Sequence, residues 1–131
     1  MSNRLLDPWR DARLLAERLR AGASLIVALG AEAWCQKCRR FRPFFETWVM
    51  QADSSEVGLW LDLDQHAEFL DGYIPDDLPQ ILVYRARVLT VNCVLKEASV
   101  AAIEAAIRAT VDTALDDPGV FDRLLKEDWA S

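Results

Sequence analysis

Residues 34 to 38 read Trp34-Cys35-Gln36-Lys37-Cys38, which sets two thiols three positions apart. An apolar, strand-like run precedes them and a helical pattern follows, so the pair falls at a helix start. At helical pitch the two sulfurs share one side of the first turn, close enough to bridge. Cys35 lies where unpaired amides and the helix dipole favour an anion. The thiolate is the nucleophile of disulfide exchange, and lowering its pKa toward ambient pH is what makes a cysteine reactive. The spacing therefore points to a redox dithiol. Two other readings stay open on the residues alone, a pair of inert thiols and part of a metal site. A structural zinc site needs four ligands, and the other candidates, Cys93 and His66, fall in segments not expected beside the pair.

The neighbourhood of the pair is basic. Lys37, Arg39, Arg40 and Arg42 crowd the cysteines, while acids are spread from Asp62 to Asp77 and along the C-terminal third. Only Lys37 must lie near the sulfurs, and the arginines read equally well as the solvated face of a helix. Trp34 is expected to form a partly exposed lid over the dithiol. Cys93, alone in a strand-like run, reads as a small buried hydrophobe, and His66 as a surface residue. The acidic segment 116 to 128 reads either as a solvated cap or as a docking surface for a basic partner.

The elements that must position the pair follow from periodicity. Pro8 to Arg20 carries Ala12, Leu15 and Leu19 at helical spacing behind an Asp7-Pro8 start signal. Leu25 to Leu29 is a continuous apolar run, expected for a strand buried on both faces. From Cys35 to Met50, Cys38, Phe41, Phe45, Trp48 and Val49 fall on one stripe, and Pro43 is expected to kink that helix. Val57 to Leu63 alternates as a second strand, after which Asp64 is expected to cap a short helix reaching about Gly72. Ile81 to Tyr84 and Val88 to Leu95 make a hairpin about Arg85 to Arg87. Val100, Ile103, Ile107, Val111, Ala114 and Leu115 mark a long helix, and Phe121, Leu124, Leu125 and Trp129 a last short one. Strands joined by helical crossovers pair in parallel and a hairpin adds antiparallel ones. The expected architecture is an α/β three-layer sandwich, with a mixed four-stranded sheet flanked by helices.

At 131 residues and 52% apolar content the chain fits one domain with a real core and is too short for two. We expect a single domain over residues 1–131, with its centre at about 20–110 and a C-terminal extension at 116–131. No apolar stretch approaches the roughly 20 residues of a membrane-spanning helix, so no membrane association is expected. The formal net charge of -6 argues against nucleic-acid binding, which needs a basic face. Three cysteines do not make a disulfide framework. Met1 to Arg13 lacks the basic-then-apolar layout of a secretory signal, which leads to an expected cytoplasmic location.

Four features in order along the chain carry a resemblance. Trp34 directly precedes the first cysteine, and Pro43 follows Cys38 by five residues. Leu61-Asp62-Leu63-Asp64-Gln65 ends a strand in an Asp-Gln pair, and Leu78-Pro79-Gln80-Ile81-Leu82-Val83-Tyr84 opens another with proline. In these features the chain resembles the thioredoxin family, over roughly residues 20 to 110. The resemblance implies that Cys35 is the exposed attacking thiol and Cys38 the more buried resolving thiol. It implies that Pro79 is a cis-proline facing them, and that the Leu78 backbone pairs with an extended segment of a partner by strand addition.

The implied function is thiol-disulfide exchange on protein or small-molecule disulfides, by a monomer that needs no bound cofactor and receives electrons from a reductase or small thiol. Gln36-Lys37 stands where typical thioredoxins carry Gly-Pro, and with Lys37 near the sulfurs a more oxidising dithiol is expected. The family's buried aspartate and nearby lysine are missing from Leu25-Ile26-Val27-Ala28-Leu29 and Leu59-Trp60-Leu61. Cys38 must then lose its proton to water or to a group such as Glu32, so slow turnover is expected. Lys96-Glu97-Ala98-Ser99 also lacks the glycine that many members place beside the substrate groove. The alternative is a thioredoxin-fold protein-binding or chaperone module with weak or no redox activity.

Overall fold

Leu25 to Leu29 leave no polar face, and a strand of that kind is stable only with neighbours on both edges and cover on both sides. In the computed structural model, which describes residues 4–70, 72–73, 75, 77–109 and 117–126, this strand is β1 (Ser24–Gly30). It lies inside a sheet of order β2-β1-β3-β4, where β2 is Glu56–Asp62, β3 Gln80–Arg85 and β4 Val88–Val94. β1 pairs in parallel with β2, while β3 runs antiparallel to both β1 and β4.

The register sorts the side chains into two faces, because directly paired residues point the same way. Ile26, Gly58 and Val83 share one face, and Ala28, Trp60 and Ile81 extend it. That face is covered by α2 (Gln36–Gln51), whose buried stripe is Cys38, Phe41, Phe45, Trp48 and Val49, as the periodicity predicts. A Cβ on Gly58 would sit 2.3 Å from Val49 Cγ2, so the absence of a side chain there sets how closely α2 approaches β2. Trp48 Nε1 donates to Glu104 Oε2 at 2.6 Å, tying α2 to α4 (Val100–Arg108). The other face carries Leu25, Val57 and Tyr84, and Tyr84 packs on Phe121 of α5 (Val120–Leu125) with ring centroids 5.7 Å apart. Arg20 at the end of α1 (Ala12–Arg20) donates to Leu125 O, and Arg123 of α5 donates to Phe69 O in α3 (Ala67–Leu70). The result is the expected three-layer sandwich with a short extra C-terminal helix.

Several boundaries differ from the sequence reading. The first helix starts at Ala12 because Asp7 Oδ1 takes the amides of Trp9 and Arg10, holding residues 8–11 in turns. Before it, Leu6 bridges to Leu59 and its amide donates to Gly58 O at 3.0 Å, a strand contact not anticipated. α2 continues unbroken through Pro43. The cap of the turn after β2 is Asp62 and not Asp64, since Asp62 Oδ1 accepts from the amides of Asp64 and Gln65.

That turn folds His66 back onto the strand end, where its Nδ1 accepts the Asp62 amide at 2.8 Å. His66 is therefore buried, not a surface residue. α4 stops at Arg108 because Ala109 is extended, with ψ 144°. Val111, Ala114, Leu115 and Trp129, assigned to helices from the sequence, lie outside the described residues. Cys93 is half-buried in β4 and packs against the core, and burial pushes its thiol pKa up.

Candidate functional site

The chain leaves β1 at Gly30 and turns over Ala31, whose carbonyl accepts from Trp34 N at 3.3 Å and Cys35 N at 2.8 Å. This turn delivers Cys35 in extended conformation (φ -103°, ψ 104°) as the N-cap of α2. Its sulfur takes the capping role that a serine hydroxyl often fills, accepting the amide of Cys38 at 3.2 Å. Both thiols are free, with Cys35 8% exposed and Cys38 wholly buried. Cys35 is thus itself mostly buried, not the exposed thiol the resemblance implies, and it reaches the surface only as part of a groove wall, with Cys38 fully enclosed.

The burial of Cys38 has a chemical consequence. Desolvation, helped by contact with the Cys35 thiol, pushes its pKa up to about 12, and the Ala31 backbone and Lys37 offset this only in part. Gly30, Cys38 and Trp60 are close-packed: a Cβ on Gly30 would lie 2.5 Å from the Trp60 ring and 3.3 Å from Cys38 Cβ. Trp60 in turn packs on Phe41 and Phe45, with the Arg42 guanidinium 5.0 Å from its ring centroid. Glu32, the carboxylate expected to take the proton of Cys38, is ion-paired with Arg42, and its carbonyl accepts from Arg39. The arginines that follow the cysteines are largely engaged in these contacts and in an Arg42 to Glu46 pair at 2.9 Å.

In front of Cys35 lies a groove of about 540 Å³ lined by Trp34, Cys35, Gln36, Lys37, Leu63, Pro75, Asp77 and Leu78. Trp34 is 62% exposed at its rim. The Leu78–Pro79 peptide bond is cis, and Pro79 lies buried behind Leu78 at the start of β3, its carbonyl accepting from Leu95 N. The structure therefore gathers Trp34, Cys35, Gln36, Lys37 and Leu78 into one groove.

Sequence reasoning missed Asp77. Its Oδ1 accepts the Leu78 amide at 2.8 Å and lies 3.3 Å from Lys37 Nζ. These partners, the Leu78 amide first, hold its pKa below the usual carboxylate value. Lys37 thus directs its ammonium across the groove to a carboxylate, where the sequence reading directed it at the sulfurs. Leu63 and Pro75 were also not foreseen as walls. An acid directly before Leu78, the residue the resemblance already singled out, was the available signal for Asp77. Among the described residues no group of three or more His, Cys, Asp or Glu side chains converges to hold a metal ion. None of their helices is long and apolar enough to cross a membrane.

The sheet order, the flanking helices and a C-x-x-C pair at the tip of α2 define a thioredoxin-fold chain. Comparison with solved structures bears this out. Thioredoxin from Schistosoma mansoni superposes with a TM-score of 0.59 at 21% identity, over 82% of this chain and 95% of its own. Spinach chloroplast thioredoxin f gives 0.59 at 13% identity, over 82% of this chain and 93% of its own. The zinc-bound form of human ERp44 gives 0.58 at 21% identity over 82% of this chain, which spans 30% of that protein's length. No family model matches the chain and no curated protein sequence matches it.

Proposed function

We propose that this chain is a thiol-disulfide oxidoreductase working through Cys35 and Cys38. The observation that carries the reading is the asymmetry of the pair: Cys35 Sγ caps α2 and opens on a groove, while Cys38 is sealed behind it. Cys35 thiolate attacks a disulfide of the substrate, forming a mixed disulfide and releasing one substrate thiolate. Cys38 then loses its proton, attacks Cys35 Sγ and expels the second substrate thiolate, leaving a Cys35–Cys38 disulfide. Two electrons pass from the dithiol to the substrate. A small thiol or a reductase restores the pair by the reverse exchange.

Substrates on this reading are protein disulfides presented in extended segments, with Trp34 and Leu63 as apolar walls and the Leu78 backbone as a pairing edge. The test is reduction of insulin disulfides with dithiothreitol as donor. Wild-type turnover that Cys35→Ser abolishes and Cys93→Ser preserves would support the proposal. Wild-type protein no faster than dithiothreitol alone would end it.

A second reading, a binding module with weak redox activity, is favoured by one observation. Cys38 is walled in by Trp60 and Gly30, and the carboxylate of Glu32 is ion-paired with Arg42. Loss of general-base help of this kind typically costs ~100-fold or more in rate. Wild-type protein that binds partners through the groove equally well with and without Cys35 would favour this reading.

A further inference from the structure

The carboxylate of Asp77 holds two groups that a segment entering the groove would meet. Its Oδ1 takes the Leu78 amide at 2.8 Å and lies 3.3 Å from Nζ of Lys37, two residues after Cys35. The amide of Leu78 is not part of the sheet, since the pairings of β3 with β1 and with β4 both begin at Gln80. It is a main-chain donor of a residue that lines the same groove as Cys35, and a carbonyl of an extended peptide is the partner it would otherwise take. The Asp77 carboxylate stands where that carbonyl would be.

We propose that Asp77 is a gate on substrate docking: a peptide disulfide must displace its carboxylate from Leu78 to pair with the backbone, whereas a small disulfide without a main chain need not. The inference rests on the dithiol reading above. The gate is displaceable because the Asp77 and Lys37 side chains are 60% and 63% exposed, and an exposed ion pair adds little to hold the carboxylate in place. It therefore penalises peptide segments relative to small disulfides, by the hydrogen bond that must first be broken.

The experiment compares wild type, Asp77→Ala and Asp77→Asn on an uncharged peptide disulfide and on hydroxyethyl disulfide, with the same thiol donor. Asp77→Ala should lower KM for the peptide by about threefold to tenfold, the range expected for removing one competing hydrogen bond. KM for hydroxyethyl disulfide should move by clearly less. Asp77→Asn keeps an acceptor oxygen without the charge and should fall between wild type and Asp77→Ala. Equal shifts on the two substrates, or a raised KM for the peptide alone, would overturn the gate while leaving the dithiol reading intact. Wild type inactive on both substrates would overturn that reading and the gate with it.

Discussion

The amide of Cys38 points at the sulfur of Cys35 from 3.2 Å, so the residue that carries the second thiol also caps the helix through the first. Serine is among the strongest N-caps and its oxygen can accept the same amide. Cys35→Ser should therefore leave the thermal midpoint within about 2 °C of wild type, since one lost or gained kcal/mol moves a domain of this size by a few degrees. Disulfide exchange should nonetheless fall to the buffer rate. Cys38→Ser should accumulate mixed disulfides through Cys35, visible as adducts by intact-mass spectrometry. Adducts at Cys93 in place of Cys35 would contradict the assignment.

The same hydrogen bond bears on the redox equilibrium. An amide aimed at the leading sulfur favours the reduced pair, and a stabilised reduced form makes a stronger oxidant. We expect equilibration with glutathione to give a potential above about -270 mV, the thioredoxin value. The basic run contributes less than its sequence suggests, because Lys37 meets Asp77 and Arg42 meets Glu32 and Glu46. A potential at or below the thioredoxin value would remove the case for a more oxidising dithiol.

Release of a bound thiol should depend steeply on pH. Burial, the largest cause, raises the pKa of Cys38, and it persists when Cys35 is tied up in a mixed disulfide, although the smaller contribution of the free Cys35 thiol is then lost. The protonated thiol does not attack, so the reactive fraction grows about tenfold per pH unit everywhere below the pKa. With Cys35 loaded with thionitrobenzoate, release by Cys38 should accelerate about 100-fold between pH 7 and pH 9. A rate that levels off near neutrality would reveal a local base and falsify this account of Cys38.

The hairpin between β3 and β4 turns on Ala86 and Arg87, both with positive φ (51° and 70°). Two left-handed central residues are the pattern of a type I′ turn, where Asn-Gly is preferred because other residues pay a steric penalty. Ala86→Asn combined with Arg87→Gly should stabilise the fold by roughly 1 kcal/mol and raise the thermal midpoint by a few degrees. A lowered midpoint would mean that Arg87 makes a contact worth more than the relief.

What the sequence revealed and what it hid divides along physical lines. β1 and the buried stripe of α2 were legible because their apolar patterns have one stable placement each. The resemblance located the cysteines, Leu78 and Pro79 because these lie in short local motifs. The contacts that tune the site are long-range. Lys37 meets an acid forty positions away, so its direction is not written in residues 34 to 38. Alternation put Trp60 on one face with Gly58 and Asp62, but only the packing of α2 against β2 makes that the face beneath Cys38. His66 looked like a surface residue because nothing local announces that its ring will accept a strand amide.

The closeness of α2 to the sheet, on which the depth of Cys38 depends, can be tested at Gly58. Its φ lies outside the left-handed region, so alanine meets no backbone penalty there and the contact alone decides the outcome. The new Cβ would lie 2.3 Å from Val49 Cγ2 and 3.1 Å from Cγ1, on a branched side chain with little rotamer freedom in a helix. Overpacking of this kind typically costs ~1–3 kcal/mol, and Gly58→Ala should lose stability in that range. Val49→Ala removes both clashing methyls while opening a cavity of its own, so the second substitution should be cheaper in the presence of the first. In a double-mutant cycle by urea denaturation, the cost of Gly58→Ala should fall by ~1 kcal/mol or more in the Val49→Ala background, as expected for residues in direct contact. Equal costs in both backgrounds would show that Gly58 is not what sets the spacing, and that the helix bearing the dithiol is held at its depth by other contacts.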